Sequence, residues 1–383
     1  MQPMITSKLP RVGTTIFTRM SALAAEHGAL NLSQGFPDFD APEALREAMA
    51  RHVMAGHNQY APMQGLAALR EQIALQVLRC RGVSCDPDTE ITVVPGATEG
   101  IFCAVMACVA PGDEVIVLDP CYDSYQPCVE LAGGRAIHVP LRQPDFALDR
   151  ERLEAALGAR SRLLILNSPH NPSGSTLSRE DMLYLEALVQ RHGLLVVSDE
   201  VYEHLVFDGR AHHSALQFPA LRERSFALFS FGKTFSVTGW KTGYCIAPAA
   251  LTAELRKVHQ FVSFVAVTPV QLALADFMRE QPDYPATLAA FYQRKRDLFC
   301  DALHASRFSF TPSAGTYFQL LDYRRISEED DAGLGERWTR ERGIAAIPVS
   351  VFYEQPPPQR LLRFCFAKND AVLEAAAEIL CRI

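Results

Sequence analysis

Short apolar runs alternate with amphipathic stretches through the first two thirds of the chain. The apolar runs are rich in β-branched and aromatic residues, which is typical of buried strands. This pattern predicts strands at residues 90–94, 114–118, 136–140, 162–167, 194–199 and 226–229. Because strands that alternate with helices form parallel sheets, the pattern favours an α/β fold whose ligands gather at the carboxyl ends of the strands.

Helical spacing predicts helices at residues 17–28, 42–56, 66–81 and 151–157, and another that ends at residue 109. From about residue 280 the pattern changes to one long helix, 285–305, and to strand-like segments at 309–310, 316–321 and 361–367. A chain of 383 residues with 48% hydrophobic residues can bury a large core and normally divides into two domains.

Charge and cysteine usage exclude several classes of protein. The formal net charge is −7 and the cations are scattered, so nucleic acid is not an expected partner. The N-terminus lacks a targeting pattern and no apolar run approaches the ~18 residues of a membrane span, so we expect a cytoplasmic protein and no membrane partner. The ten cysteines lie in apolar contexts without paired metal-ligand spacing, which predicts reduced core residues and no metal site.

Lys233 stands where the predicted strand 226–229 gives way to a turn of small residues. Burial at such a position lowers the pKa of an amine and makes it a nucleophile toward an aldehyde. Ser230 and Lys241 flank it, so the stretch suits an aldehyde that carries a phosphate. The alternative is a surface lysine after a strand.

Other candidate groups also follow predicted strands. Asp199 ends a buried apolar strand, where a carboxylate needs a cation; a helix cap or an internal salt bridge is the alternative. Asn171 lies between two X-Pro pairs that hold it extended. The turn at residues 95–100 suits an anion, although Thr98 could be a plain helix cap. Tyr122 can lie flat on a planar ligand, and Tyr125 is interpreted as its neighbour in the wall.

Arg363 lies in an apolar strand and therefore needs an anion, which is either a substrate carboxylate held bidentately or a structural acid. Gly35 interrupts an extended segment, which indicates a close backbone approach or an ordinary loop. His170 is interpreted as a packing residue and Glu200 as a structural acid.

Three segments resemble the class I/II aminotransferases, which are fold-type I pyridoxal-phosphate (PLP) enzymes: Ser-Gln-Gly-Phe-Pro-Asp-Phe at 33–39, Gly-Lys-Thr-Phe-Ser-Val-Thr-Gly-Trp-Lys at 232–241 and Arg-Phe-Cys-Phe-Ala at 363–367. The resemblance runs from Phe17 to Ala367 and is nearest to the methionine and kynurenine–glutamine aminotransferase branch. It implies a large domain with a mostly parallel seven-stranded sheet at 46–275 and a small α/β domain at 276–383, which the N-terminal segment 1–45 joins.

The resemblance also implies a role for each matching residue. Lys233 would attach PLP and act in catalysis with Asp199, which faces the pyridine nitrogen, and Tyr202, which donates to the 3-oxygen. The implied cofactor-binding residues are completed by Ala97, Thr98, Ser230 and Lys241 at the phosphate, Tyr122 on the ring, Asn171 at the 3-oxygen and Tyr60 from the partner subunit. The implied substrate-binding residues are Gly35, Asn171, Arg363, Phe17 and Phe264.

The implied activity is transfer of an amino group from a neutral L-amino acid (methionine, aromatic or glutamine-like) to a 2-oxo acid by a ping-pong mechanism in a homodimer. A PLP-dependent cysteine-conjugate β-lyase would keep the same residues. A noncatalytic PLP-binding regulator would need a DNA-binding extension, for which we expect no room before Phe17. Val265 stands where vertebrate kynurenine enzymes of this group tend to have histidine, which argues against a kynurenine preference. The sequence leaves the donor, the acceptor and the pathway open.

Overall fold

A computed structural model describes residues 5–383. Residues 1–4, which belong to the predicted segment 1–45 and to the terminus interpreted as lacking a targeting pattern, lie outside the described residues. No helix within residues 5–383 combines the length and the apolar character of a membrane span.

Twelve strands form three sheets in the described part of the chain. Their bounds are β1 Leu30–Asn31, β2 Ile91–Val94, β3 Glu114–Asp119, β4 Arg135–Pro140, β5 Ser161–Asn167, β6 Leu195–Asp199, β7 Ser225–Ser230, β8 Gly243–Ile246, β9 Phe318–Asp322, β10 Ile344–Ala345, β11 Ile347–Pro348 and β12 Leu361–Cys365.

Helices surround these sheets and connect most of the strands. Their bounds are α1 Ile16–His27, α2 Glu43–Met54, α3 Ala67–Arg81, α4 Ala97–Cys108, α5 Tyr125–Leu131, α6 Arg150–Ala156, α7 Arg179–His192, α8 Pro219–Arg222, α9 Phe231–Thr234, α10 Ala249–Val262, α11 Thr268–Glu280, α12 Tyr284–Ala302, α13 Asp331–Arg342 and α14 Asp370–Cys381. Single 3-10 turns lie at Ala215–Gln217, Thr238–Trp240 and Ser350–Phe352.

The large sheet has seven strands in the order β2-β8-β7-β6-β5-β3-β4. Every pairing is parallel except those of β8, which runs antiparallel to β2 and β7. Successive residues alternate between the two faces: Val197 packs with α4 and α10, whereas Val196 packs with α7. Helices therefore bury both faces, as a mostly parallel sheet requires. The predicted α/β class with a mostly parallel seven-stranded sheet is confirmed.

The C-terminal third forms a smaller antiparallel sheet in the order β11-β12-β9, and its core includes residues of α12, α13 and α14. The N-terminal segment joins this part because Leu30 and Asn31 of β1 pair in parallel with Ile344 and Ala345 of β10. The predicted division into an N-terminal segment 1–45, a large domain 46–275 and a small domain 276–383 stays a prediction.

Two strand-like predictions near the C-terminus are corrected. Ser309 forms only an isolated bridge with Asp322, so 309–310 is not a strand. The strand predicted at 316–321 begins two residues later, because Thr316 takes a left-handed conformation (φ 65°) at the turn that precedes it. The long helix begins at Tyr284, just ahead of its proline, and ends at Ala302.

Gly243 lies where β8 packs closely against β7 and the start of α4. A β-carbon at this position would meet the carbonyl oxygen of Phe229 and lie 3.1 Å from the amide nitrogen of Ala97. Both are backbone atoms, which cannot move aside as a side-chain tip can. The sheet and the helix start therefore reach their observed separation only with glycine here.

We expect Gly243→Ala to lower the free energy of unfolding of the cofactor-free protein by ~1–3 kcal/mol, because the added methyl group overpacks two backbone segments. The control is Gly335→Ala in α13, where the β-carbon would make an ordinary contact 3.7 Å from Leu362. That change should stabilise the protein by ~0.5–1 kcal/mol because alanine favours a helix interior. Urea unfolding measures both; equal stability of Gly243→Ala and the wild type would contradict the packing argument.

Candidate active site

The carboxyl ends of β5, β6 and β7 meet the start of α4 around one cavity of about 140 Å³. The lining includes nine of the ten cofactor residues that the resemblance implies: Ala97, Thr98, Tyr122, Asn171, Asp199, Tyr202, Ser230, Lys233 and Lys241. Tyr60 is the exception. Parallel strands bring these residues together because their carboxyl ends lie at one edge of the sheet.

Lys233 lies in α9, the single helical turn that follows β7, and its side chain points inward rather than to the surface. Its Nζ donates to the carbonyl oxygen of Gly35 at 3.2 Å and lies 5.8 Å from the ring centre of Tyr202. Burial lowers the pKa of Lys233 to about 8, and the nearby cations Lys241 and Arg363 act in the same direction. The amine is therefore more often unprotonated at neutral pH than an exposed lysine is.

Asp199 ends β6 and is buried. Its Oδ2 accepts a 2.6 Å hydrogen bond from the hydroxyl of Tyr125, and its Oδ1 accepts a weaker one from the amide of Val201. Burial raises the pKa of Asp199 to about 6. In the described part of the chain this carboxylate neither caps a helix with its side chain nor forms a salt bridge. A cationic partner for it must come from a bound molecule.

The start of α4 and Lys241 form a cationic end of the cavity. Gly96 precedes the helix with φ 82°, and a β-carbon there would lie 3.4 Å from Lys241 Nζ. The residue in the helix-capping position is Gly96, so the alternative interpretation of Thr98 as a plain helix cap is wrong. The first amides of a helix lack partners within the helix, and together with a lysine they suit a phosphate.

Arg363 is the largest of the fully buried side chains and is only 1% exposed. One terminal nitrogen donates to Asn171 Oδ1 at 2.6 Å and the other to the carbonyl oxygen of Ser33 at 3.0 Å. Its Nε has no hydrogen-bond partner, and no carboxylate of residues 5–383 forms an ion pair with it. Burial lowers the pKa of Arg363. The structural acid considered as its alternative partner is thus not found among the described residues.

Aromatic rings enclose Arg363. The guanidinium carbon lies 3.9 Å from the ring centre of Phe318, 5.2 Å from that of Phe17 and 5.4 Å from that of Phe352. Ring faces attract a cation when it has been removed from water. Phe17 thus contacts the predicted carboxylate-binding residue, as expected of a substrate-side residue.

Tyr60 and Phe264 lie outside the cavity of this chain. Tyr60 is 84% exposed and Phe264 43% exposed, and their rings pack edge to face with centres 5.5 Å apart. Exposed aromatic rings that contact each other are unusual for a surface in water. Neither residue belongs to the lining of this chain's cavity.

Three further residues contribute contacts to the site that the sequence did not predict. Tyr125 is the hydrogen-bond partner of Asp199 rather than only a neighbour in the wall. The hydroxyl of Tyr317 donates to the carbonyl oxygen of Gly35 at 2.5 Å, and Phe318 lies on Arg363. The sequence signal for Tyr125 was a second tyrosine three residues after Tyr122. For Tyr317 and Phe318 the sequence gave no signal beyond an apolar strand.

His170 and Glu200 have structural roles, as predicted. The ring of His170 contacts the carbonyl oxygen of Pro120 at 2.9 Å and the hydroxyl of Ser173 at 2.6 Å, and burial lowers its pKa to about 4. Glu200 accepts hydrogen bonds from Ser198 and from the amide of Ala215.

The donor set of the cavity fits PLP. A phosphate matches the cationic end, an aldehyde matches the unprotonated amine of Lys233, and a pyridine ring can lie beside Tyr122. The ring N–H supplies the cation that buried Asp199 lacks. The unpartnered Nε of Arg363 leaves a place for the carboxylate of an amino acid.

Comparisons with known proteins agree with this geometry. The sequence profile of aminotransferase class I and II matches residues 28–380. The methionine aminotransferase of Escherichia coli is 51% identical over 374 residues, which are 98% of this chain and 97% of that protein. A crystal structure from Escherichia coli, described as identifying a methionine aminotransferase function, matches with a TM-score of 0.97 over 100% of both chains at 51% identity.

Two further relatives have other described substrates. The N-succinyldiaminopimelate aminotransferase structure of Mycobacterium tuberculosis is 40% identical with a TM-score of 0.96 over 99% of both chains. A kynurenine–oxoglutarate transaminase of Dictyostelium discoideum is 34% identical over 97% of this chain and 94% of that protein. The match of the family profile and the identity of these relatives over whole chains establish that the chain belongs to the class I and II aminotransferases, PLP-dependent enzymes that act on amino acids and 2-oxo acids.

Proposed function

We propose that this aminotransferase takes the amino group of a neutral L-amino acid, methionine foremost, and passes it to a 2-oxo acid. The observation that carries the proposal is Arg363, a buried guanidinium with an unpartnered Nε beside Asn171. A buried cation without a counter-ion is costly, and an α-carboxylate relieves that cost. Both the amino acid and the 2-oxo acid carry this group, so one arginine serves both halves of the reaction.

The proposed preference for a neutral side chain follows from the charges of the cavity. The cations of its lining are Lys233 and Lys241, and both have a role at the cofactor. Next to Arg363 the structure has the rings of Phe17, Phe318 and Phe352. A polarizable thioether packs well against aromatic rings, whereas an unpaired distal carboxylate there would cost several kcal/mol. The 51% identity to a methionine aminotransferase supports the same choice.

We assign the cofactor contacts as follows, residue by residue. Lys233 would hold PLP covalently. Ala97, Thr98, Ser230 and Lys241 would bind its phosphate and Tyr122 would pack on the ring. Asn171 and Tyr202 would donate to its 3-oxygen, and Asp199 would accept from its ring nitrogen. When bound, PLP supplies an electron sink that stabilises the charge left as a bond to Cα breaks. Tyr125 is a positioning residue because it orients the carboxylate of Asp199 through a 2.6 Å hydrogen bond.

Within this arrangement Lys233 Nζ, once it is no longer bonded to the cofactor, would remove the proton from Cα of the donor. A pKa near 8 leaves part of the amine unprotonated at neutral pH and lets it return the proton later. Arg363, Asn171 and the backbone of Gly35 would hold the substrate carboxylate. Tyr317 fixes the carbonyl oxygen of Gly35, which also accepts a hydrogen bond from Lys233.

We further propose a homodimer with shared sites. Tyr60 and Phe264 are exposed and adjacent in one chain, so burial against a second copy would remove apolar surface from water. Tyr60 would then reach the cofactor phosphate of the partner, and Phe264 its substrate. The proposed location is the cytoplasm, supported by ten free cysteines, of which Cys80 and Cys381 are exposed, since reducing compartments keep thiols free.

Asp199→Asn should remove turnover and stabilise the cofactor-free protein at pH 8. The pKa of Asp199 in the folded protein lies near 6, above its ordinary value of 3.8. Its contribution to stability is therefore complete below about pH 3.8 and lost as the pH rises through 6. We expect Asn to gain roughly 1–3 kcal/mol at pH 8 and about half as much at pH 5, where the unfolded chain is already ionised and the folded protein is not. Urea unfolding at both pH values and steady-state assays measure the two effects.

Asp301→Asn is the control, because Asp301 is an exposed carboxylate whose side chain is 76% accessible. It should change neither stability nor turnover. Near-normal kcat in Asp199→Asn would refute the catalytic role of Asp199, and equal stability at pH 5 and pH 8 would refute the cost of burying its charge.

Methionine should discharge the visible absorption band of bound PLP much faster than aspartate does, and a 2-oxo acid should restore the band. The expected ratio of half-reaction rates is at least tenfold because the distal carboxylate of aspartate has no cation in the cavity. Stopped-flow absorbance measures each half-reaction. A faster reaction with aspartate would overturn the preference, and pyruvate with ammonia released from cysteine conjugates ahead of any transamination would favour the β-lyase.

Variants of arginine complete this experiment. Arg363→Lys should lower the half-reaction rates with methionine and with aspartate about tenfold or more, because lysine cannot hold the carboxylate bidentately. Arg360→Lys, three residues earlier with its guanidinium on the carbonyl oxygen of Glu329, should leave both rates unchanged.

Mixing two defective subunits tests the shared site. Tyr60→Phe subunits, assayed at limiting PLP, and inactive Lys233→Ala subunits should form mixed dimers with one site that carries both changes and one that carries neither. Random exchange would restore about a quarter of the wild-type sites. Activity that never exceeds the sum of the separate preparations would show that Tyr60 does not act across subunits.

A further inference from the structure

His259, near the end of α10, joins three segments outside the cavity. Its side chain is fully buried. Nδ1 lies 2.7 Å from Glu99 Oε1, and Nε2 lies 3.2 Å from the carbonyl oxygen of Met63. Each ring nitrogen therefore faces an oxygen that can accept a hydrogen bond. One imidazole thus connects α10, α4 and the loop that precedes α3.

Glu99 accepts further hydrogen bonds from neighbouring side chains. Its Oε1 also accepts from the hydroxyl of Ser263 at 2.9 Å and the thiol of Cys103 at 3.2 Å, while Oε2 has no partner. Glu99 lies in the first turn of α4, directly after Thr98. The network therefore begins at the helix start to which we assign the phosphate.

The other end of the network reaches the two exposed rings. The carbonyl oxygen of His259 accepts from the amides of Ser263 and Phe264, both at 3.1 Å, and this turn gives Phe264 a φ of 66°. Phe264 packs edge to face on Tyr60, which lies three residues before Met63. The imidazole and the carbonyl of one histidine therefore hold both segments that carry these rings.

We propose that the Glu99–His259 pair is a positioning pair, which fixes Tyr60 and Phe264 relative to the start of α4 to which we assign the phosphate. The inference rests on the proposed role of Tyr60 across subunits. Neither residue lines the cavity, so neither is catalytic. A pair that served only to stabilise the fold would also be buried, and the experiment has to separate these two roles.

Two substitutions of His259 each keep one of its two side-chain hydrogen bonds and remove the other. His259→Asn keeps an amide nitrogen near the position of Nδ1 and loses the bond to Met63. His259→Gln places its amide nitrogen near Nε2 and keeps that bond. We expect each change to weaken PLP binding by about threefold to tenfold, because His259→Asn breaks the link to the Tyr60 segment and His259→Gln breaks the link to Glu99. Titration of the full-length cofactor-free protein with PLP, followed by its visible absorbance, measures both dissociation constants.

A double-mutant cycle with Tyr60→Phe then decides between positioning and stability. If His259 acts through Tyr60, His259→Asn should change PLP affinity by less than about twofold in the Tyr60→Phe background. The control is His212→Asn, another buried histidine paired with a glutamate, Glu200, at 2.8 Å. His212→Asn should change the PLP dissociation constant by the same factor in the wild-type and the Tyr60→Phe backgrounds. Glu99→Ala takes the place of His259→Asn in the cycle if that variant does not fold.

Equal factors for His259→Asn in both backgrounds would overturn the inference and leave the role of Tyr60 intact. Unchanged affinity in Tyr60→Phe alone would remove that role, and the inference with it. Unchanged affinity in His259→Asn alone would overturn the inference by itself.

Discussion

Burial of charge without a protein partner is the constraint on which this site depends. Asp199 and Arg363 are both removed from water, and within residues 5–383 neither has an ion of opposite sign as its direct partner. Hydrogen bonds from Tyr125 to Asp199, and from Arg363 to Asn171 and Ser33, relieve only part of the cost. A ligand that carries the opposite charges can offset the remaining cost, so the burial that lowers the stability of the protein strengthens the binding of such a ligand.

The seven-stranded sheet makes such burial possible. Asp199 ends β6 and Ser230 ends β7, two strands whose interiors are mostly apolar, so the sheet stays intact while its edge carries polar groups. Within this sheet the antiparallel strand β8 brings Gly243 against β7 and the start of α4.

The sequence predicts the parts of this arrangement that are local. Asp199 and Lys233 are recognised by their position at the end of an apolar strand, and Arg363 by its position within one. A charged residue in an apolar segment is unusual, and the few residues around it are enough to show this. Contacts between distant segments are another matter. No pattern near Tyr125 or Tyr317 indicates that their hydroxyls meet Asp199 and Gly35, since those bonds depend on how α5 and β9 dock. The prediction of a strand at residues 309–310 is wrong for the same reason. Two residues of strand-like sequence cannot show whether the segment forms a full strand or a single bridge.

Arg363, the residue proposed to bind the substrate carboxylate, joins the two ends of the chain. Its guanidinium donates to the carbonyl oxygen of Ser33, 330 residues earlier, while the strands of the large sheet lie between them in the sequence. During synthesis all seven strands of that sheet can leave the ribosome while Arg363 is still inside it. A nascent chain therefore contains every residue proposed to bind the cofactor before it presents the arginine proposed to bind the substrate, so translation itself places the two in a fixed order.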